Sequence, residues 1–496
     1  MTTAAPAGLR AASLTAVLVG LGSMLGFGRD LLLARTFGAD SATDAFLVAW
    51  MIPETSAPLL IEGMAFLMVP LFSRAVERGG DVRNLVAATL PHMSVALLGL
   101  TALTAAGAPW LVALLAPGIA DPELAVRCMR LTSVTILMFG MAGYLSAALR
   151  THHAFGPPAA ISVAYNLGII AVLWVFQDHG VSAAAAGVAL GAVGMVLIQA
   201  PAFVKRLGRP RRSTRRMLLP LGAFLPIAAY TLERQGQVFV ERFAGSSLAE
   251  GSISHLNYAQ KIAQVPMILS LIVATVTFPH LARAVTAGDG PTVRRRLTDD
   301  LVAAAATVLL ATAVLVVCAP EIVRLLLQHG AFTDADTEAT ALIMRVYSLG
   351  LLGQAVVGVV CRAFFCGTRP TWYPALAMSA GLAATIALAT PPWGTTGIAA
   401  ANAAGITLSA AILFAGLRGP AIGLSVRSVA RPAACLLLAG ALAAAAGWGT
   451  HSLLAGLPPA AVLALTAAAT AAVFCAAAAL TGTEEITTMI RIRGRA

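Results

Sequence analysis

Arg29 and Asp30 stand side by side inside an apolar run, from Ala11 to Phe37, that is long enough to cross a bilayer. A charge in hydrocarbon costs several kcal/mol, so such residues face a wet cavity or a partner and mark paths for ions, protons or charged cargo. Asp44, Glu54 and Glu62 repeat the pattern in the second apolar run, and Glu233, Arg234, Glu241, Arg242 and Lys261 repeat it near mid-chain. An arginine here can grip an anion through its forked donors, or pair with Asp30 to lock its helix to a neighbour. Asp44 can serve a site or cap a helix start. Glu54, Pro58 and Glu62 recur at i, i+4 and i+8 on one helix face. Pro53 and Pro58 should bend that helix and free backbone carbonyls, which makes Pro53, Pro58 and Glu62 candidate gating residues or the marks of a fixed kink.

The elements that carry these charges are membrane spans. Of 496 residues, 58% are hydrophobic and 11% charged, where a soluble fold carries about 25% charged. Apolar runs recur along the whole chain and predict an all-α polytopic membrane protein of about fourteen transmembrane helices, with no room for a sizeable soluble domain. Met1–Arg10 is short and weakly basic, so the first run is expected to be a permanent span rather than a cleaved signal. The net charge of +11 lies mostly on arginines of short loops, and Lys205 and Lys261 are the only lysines, so the basic balance sets topology and does not point to nucleic acid. Basic loops (Arg74, Arg78 and Arg83; Lys205 to Arg216; Arg283 to Arg296; Arg418 and Arg427) alternate with acidic ones (Asp121 and Glu123; Asp178; Asp334 and Asp336). The positive-inside rule then places both termini in the cytoplasm. The six cysteines lie in or beside apolar runs without ligand spacing, which assigns them to packing, and neither a metal nor a cofactor is expected. A Walker loop and a Ser/His/Asp set are also missing, which weighs against an enzyme.

An internal repeat is visible. Val69-Pro70, Arg74-Ala75-Val76 and Gly79 return as Phe278-Pro279, Arg283-Ala284-Val285 and Gly288, and Leu114-Leu115 with Gly118 returns as Leu326-Leu327 with Gly330. The offsets are 209 and 212 residues (70 to 279, 118 to 330). Each interval holds an even number of spans, so orientation is preserved and the repeat is parallel. The expected organisation is an N-lobe of six spans at 1–204, a basic cytoplasmic linker at 205–216, a C-lobe of six spans at 217–417, and two further spans with a cytoplasmic tail at 418–496. Glu54 lies 16 residues before Pro70 and Lys261 lies 18 before Pro279. At about 1.5 Å per residue they share a depth to within roughly 3 Å, so they are expected to face each other or to serve their own lobes.

Gly26-Phe27-Gly28-Arg29-Asp30, Ala34-Arg35, Phe37-Gly38, Thr43-Asp44-Ala45-Phe46, Pro53, Glu62-Gly63 and Val69-Pro70 resemble the first two helices of the MurJ/MviN lipid II flippases, within the multidrug/oligosaccharidyl-lipid/polysaccharide exporter superfamily. Leu256-Asn257-Tyr258-Ala259 and His329-Gly330-Ala331-Phe332-Thr333 extend the resemblance. It implies two six-helix lobes around a central cavity, two added helices whose groove holds a polyprenyl tail, and alternating-access movement of an undecaprenyl-pyrophosphate-linked cell-wall precursor from inner to outer leaflet of the plasma membrane. It also implies substrate-binding roles for Arg29, Asp44 and Ser254, to which the charges themselves add Asp30, Glu54 and Lys261 as candidates, Glu54 standing where the family often has asparagine. The chain departs from the pattern at Ala57 and Pro58, where the family carries arginines, and at Lys261, where it carries an arginine. Other readings are export of another lipid-linked oligosaccharide, drug/cation antiport, a polytopic glycosyltransferase or a non-transporting paralogue. Implied partners are the lipid-linked oligosaccharide, membrane lipids and the cell-wall synthesis machinery.

Overall fold

A computed structural model describes residues 5–77, 82–207, 225–267, 289–365, 371–389, 393–418, 423–454 and 456–480, and among these the regular elements are all helices. In hydrocarbon every backbone polar group needs an internal partner, and a helix supplies one within its own segment. Ten of the described helices are long and apolar enough to cross a membrane, or eleven if the pair Asp334–Leu349 and Leu351–Phe365, bent by 43°, is one span. Tyr373–Leu388 is a shorter apolar helix. The all-helical, multi-pass expectation therefore holds. The described residues do not reach the count of fourteen, because Leu225–Gly245 is strongly charged and half of the predicted run 252–282 lies outside them, as does most of the linker 205–216, an expected loop.

The chain forms two compact units, Met1–Ser254 and His255–Ala496. In the first, α1 (Ala5–Phe37) packs on α8 (Ile161–Phe176), and α8 on α9 (Val181–Leu207). The second span runs as α2 (Ser41–Ala57), one π-helical turn (Pro58–Glu62) and α3 (Gly63–Glu77), and packs on α5 (Pro122–Thr132) and α6 (Val134–Thr151). Between them come α4 (Val82–Leu115) and the single turn α7 (Gly156–Ala159), and α10 (Leu225–Gly245) lies against α2. The buried core gathers Phe46, Met51, Cys128, Met129, Ile169 and Leu173, and a satellite core holds Phe72, Tyr144 and Phe203. Small residues let helices touch at backbone distance. A Cβ on Gly168 would lie 2.7 Å from Gly191 Cα, and one on Gly22 2.7 Å from Ser162 Cβ.

The unit boundary falls in the first turn of α11 (Ser252–Ala263). The second unit continues with α12 (Gly290–Val317), α13 (Ala319–Leu327), α14 (Asp334–Leu349), α15 (Leu351–Phe365), α16 (Tyr373–Leu388), α17 (Gly394–Gly416), α18 (Val426–Leu453) and α19 (Pro459–Leu480). α16 pairs with α17, α18 with α19, and α12 with α18. Leu309, Leu436 and Phe474 belong to the core that joins α12 to the last two helices.

Candidate functional site

On α1, Arg29 is buried, and its neighbour Asp30 fixes the guanidinium through Nε (3.0 Å) and Nη2 (2.7 Å), both donating to one carboxylate oxygen. Nη1 donates to Asn166 Oδ1 on α8 at 2.9 Å. The Asn166 amide is itself anchored, donating to the carbonyls of Gly22 (3.0 Å) and Ser162 (2.9 Å). Trp50 of α2 lies under the guanidinium, 4.5 Å from its carbon to the ring centroid. An arginine presents five N–H donors. Three are used in this way, so the side chain is oriented by acid, amide and aromatic face while donors remain for an anion. Arg29 and Asp30 thus both lock α1 to its neighbours and form a preset cation site. Sequence reasoning missed Asn166 and Trp50. The signal for Asn166 was present, as the only amide in α8.

The kinked second span builds the adjoining cluster. Proline has no N–H, so Pro53 and Pro58 deprive the carbonyls of Ala49 and Glu54, four residues earlier, of their helical donors. Side chains from other helices supply them: Thr132 Oγ1 donates to Ala49 O at 3.0 Å, and Gln235 Nε2 to Glu54 O at 2.8 Å. The π-helical turn follows immediately at Pro58, and Glu62, its last residue, is exposed. Such turns recur at functional sites. Arg242 of α10, almost fully buried, donates from Nη2 to Glu54 Oε2 at 2.8 Å and from Nη1 to the Leu47 carbonyl. Tyr165 lies within electrostatic reach of Arg29, Asp30 and Glu54, so the two charged clusters adjoin.

Asp44 and Ser254 meet, but some way from Arg29. Asp40, not Asp44, caps α2, accepting from Thr43 N at 2.7 Å. Asp44 is buried and instead serves the start of α11, accepting from Gly251 N (2.9 Å), Ser254 N (2.7 Å) and Ser254 Oγ (2.5 Å). A carboxylate suits a helix N-terminus because the first N–H groups there lack partners within the helix. Ten residues separate Asp44 from Glu54, about 15 Å along a helix. The predicted set therefore divides within the first unit into Arg29, Asp30 and Glu54, and Asp44 with Ser254.

Lys261 lies half-buried in the last turn of α11, in the second unit. There His255 bonds Asp336 of α14 at 2.9 Å, and the Tyr258 ring meets Phe332 edge-on at 5.8 Å. The two short stretches around Leu256 and His329 are thus neighbours in space. Asp336 also closes a capping box with Thr333. Farther along, His451 of α18 bonds Glu321 of α13 at 2.9 Å, and Arg345 of α14 stacks over Trp448 at 5.2 Å. Among the described residues no group of three or more His, Cys, Asp or Glu side chains is placed to hold a metal ion.

Comparison with known proteins adds four findings. A family model described as "Lipid II flippase MurJ" matches residues 33–466. A "Probable lipid II flippase MurJ" of Rhizobium meliloti is 29% identical over 467 residues, covering 88% of this chain and 87% of that protein. Among solved structures, "Lipid II flippase MurJ, inward closed conformation" superposes with a TM-score of 0.79 at 21% identity, covering 94% of this chain and 98% of the other. An inward-facing multidrug-resistance MATE transporter of the MOP superfamily gives 0.67 at 14% identity, covering 82% of this chain and 97% of the other, a likeness of fold.

Proposed function

This chain belongs to the lipid II flippase MurJ family, and from that premise we propose that it moves lipid II, an undecaprenyl-diphosphate-linked precursor, from the inner to the outer leaflet by alternating access. The observation that carries the proposal is Arg29, a buried guanidinium in a membrane-length helix, preset by Asp30, Asn166 and Trp50. An anionic headgroup cannot cross hydrocarbon bare, because an unpaired charge there is prohibitively costly. A fixed guanidinium meets a phosphate with charge-assisted hydrogen bonds and little reorganisation. Asp30 orients that cation, while the Asp44–Ser254 set shapes the start of α11. Pro53, Pro58 and the turn ending at Glu62 form the deformable part of the second span, and Lys261 is a cation of the second unit.

In this reading 1–204 and 217–417 are the two transporting lobes joined by the basic linker 205–216. Residues 418–496 add a lipid-facing pair of helices with a tail, and both termini lie in the cytoplasm of a plasma-membrane protein. Cell-wall synthesis enzymes would receive the cargo outside. Drug/cation antiport needs an acid that can exchange a proton for its cargo. Here Glu54 faces Arg242, which favours an anionic cargo.

The test is rescue of a strain depleted of its own lipid II flippase. Wild type should restore growth and Arg29→Ala should not. Rescue by both would remove Arg29 from the mechanism, and rescue by neither would remove lipid II as the cargo.

A further inference from the structure

We propose that Arg242 is a second diphosphate-binding residue, masked by Glu54 until cargo arrives; this rests on the function proposed above and names a further binding residue for it. Two partners of the Arg242 guanidinium differ in kind. Nη1 holds the Leu47 carbonyl, a backbone group that cannot leave, and Nη2 holds Glu54 Oε2 at 2.8 Å, a side chain that can. Burial is asymmetric in the same sense, since the Arg242 side chain is 4% exposed and that of Glu54 16%. The cation is the fixed member of the pair and the acid is the accessible one.

The backbone of Glu54 is secured independently of its carboxylate. Pro58 removes the N–H that would bond Glu54 O, and Gln235 Nε2 takes its place at 2.8 Å. The carboxylate can therefore release Arg242 without unravelling the kinked helix. A carboxylate oxygen and a phosphate oxygen accept the same N–H donor, so one replaces the other at Nη2 without moving the guanidinium. A buried ion pair is weak evidence of stabilisation, because desolvation offsets most of the attraction. Arg29 and Glu54 both fall within electrostatic reach of Tyr165. Two phosphates joined by one bridging oxygen suit two guanidinium groups that both fall within reach of Glu54.

The experiment measures binding of undecaprenyl diphosphate to purified full-length protein in lipid nanodiscs, with undecaprenol and inorganic pyrophosphate as the other ligands. Glu54→Gln should bind the diphosphate lipid more tightly than wild type. The double variant Glu54→Gln/Arg242→Gln, which removes both charges together, should bind roughly tenfold or more weakly, the loss expected when a charged hydrogen bond goes. If the double variant binds like wild type, Arg242 is only the counter-ion of Glu54 and the inference is wrong. A wild type that binds no diphosphate lipid brings down the functional reading itself. Loss on Arg29→Ala with none in the double variant brings down the inference alone.

A measurement on the wild type covers the case in which the double variant does not fold. Carbodiimide labelling of Glu54, read by mass spectrometry, should rise severalfold with undecaprenyl diphosphate and not with undecaprenol. Unchanged labelling overturns the exchange. A response to inorganic pyrophosphate equal to that of the lipid overturns the lipid headgroup as its source.

Discussion

Around α2, in the first unit, Arg29 and Arg242 face Asp30 and Glu54. In the second unit, apart from the exposed pair Arg324–Asp334, the partly buried pairs His255–Asp336 and His451–Glu321 each involve the end of a helix. A guanidinium keeps its charge at every pH a cell meets, whereas an imidazole does so only when protonated. The first region is a permanent charge whose partner can change. The second is a set of hydrogen bonds whose charge can change while the partners stay.

The largest effect that separates the regions should come from Arg29→Met, which strips Asp30 and Asn166 of their shared cation. Breaking a buried pair by removing one member costs about 3–5 kcal/mol. Thermal unfolding in detergent should show that loss equally in mild acid and mild base, and a loss confined to acid would undo the contrast.

Thr132→Val comes next. It leaves the Ala49 carbonyl, already without its proline-side donor, unsatisfied, at a cost of roughly 1–3 kcal/mol by the same measurement. No shift in the unfolding midpoint would mean that the kink does not depend on its borrowed donor.

His451→Phe should destabilise by about 1 kcal/mol, as a partly exposed pair does. Thermal unfolding in detergent checks it, and an unchanged midpoint would show that this contact adds nothing.

The smallest effect concerns His152, just beyond α6, whose carbonyl accepts from Arg206 at 2.6 Å. Burial, then Arg206 and His153, hold its imidazole below the ordinary 6.5. The unfolded chain therefore takes up the proton first, and stability falls as the pH drops through 6.5 and below. His152→Gln should flatten that stretch of the curve of midpoint against pH.

Much of the first region was legible in the chain because a charge among apolar residues is conspicuous by itself. Arg29, Asp30 and Glu54 announced themselves, and so did the carbonyls freed by Pro53 and Pro58. Their partners did not. Asn166 is 137 residues from Arg29, Arg242 is 188 from Glu54, and Ser254 is 210 from Asp44. Hydrophobic periodicity reports which face of a helix is buried and is silent on which distant helix it meets. Asp44 shows the difference well. A capping role was foreseeable from an acid near a helix start, but the helix it serves is α11, not its own. Thr132 and Gln235 carried no local sign at all, since a neutral donor in an apolar run signals equally well a bond to its own backbone.

The close seam between α8 and α9, where Gly168 and Gly191 bring the two backbones together, has a practical consequence for watching this protein at work. A probe needs an attachment point, and any side chain added on that seam wedges the helices apart before it reports anything. Gly28, beside Arg29, has nothing within 4 Å of where its Cβ would sit. A spin label or fluorophore on a cysteine at that position would ride on α1 beside the cation without disturbing the helices that hold it.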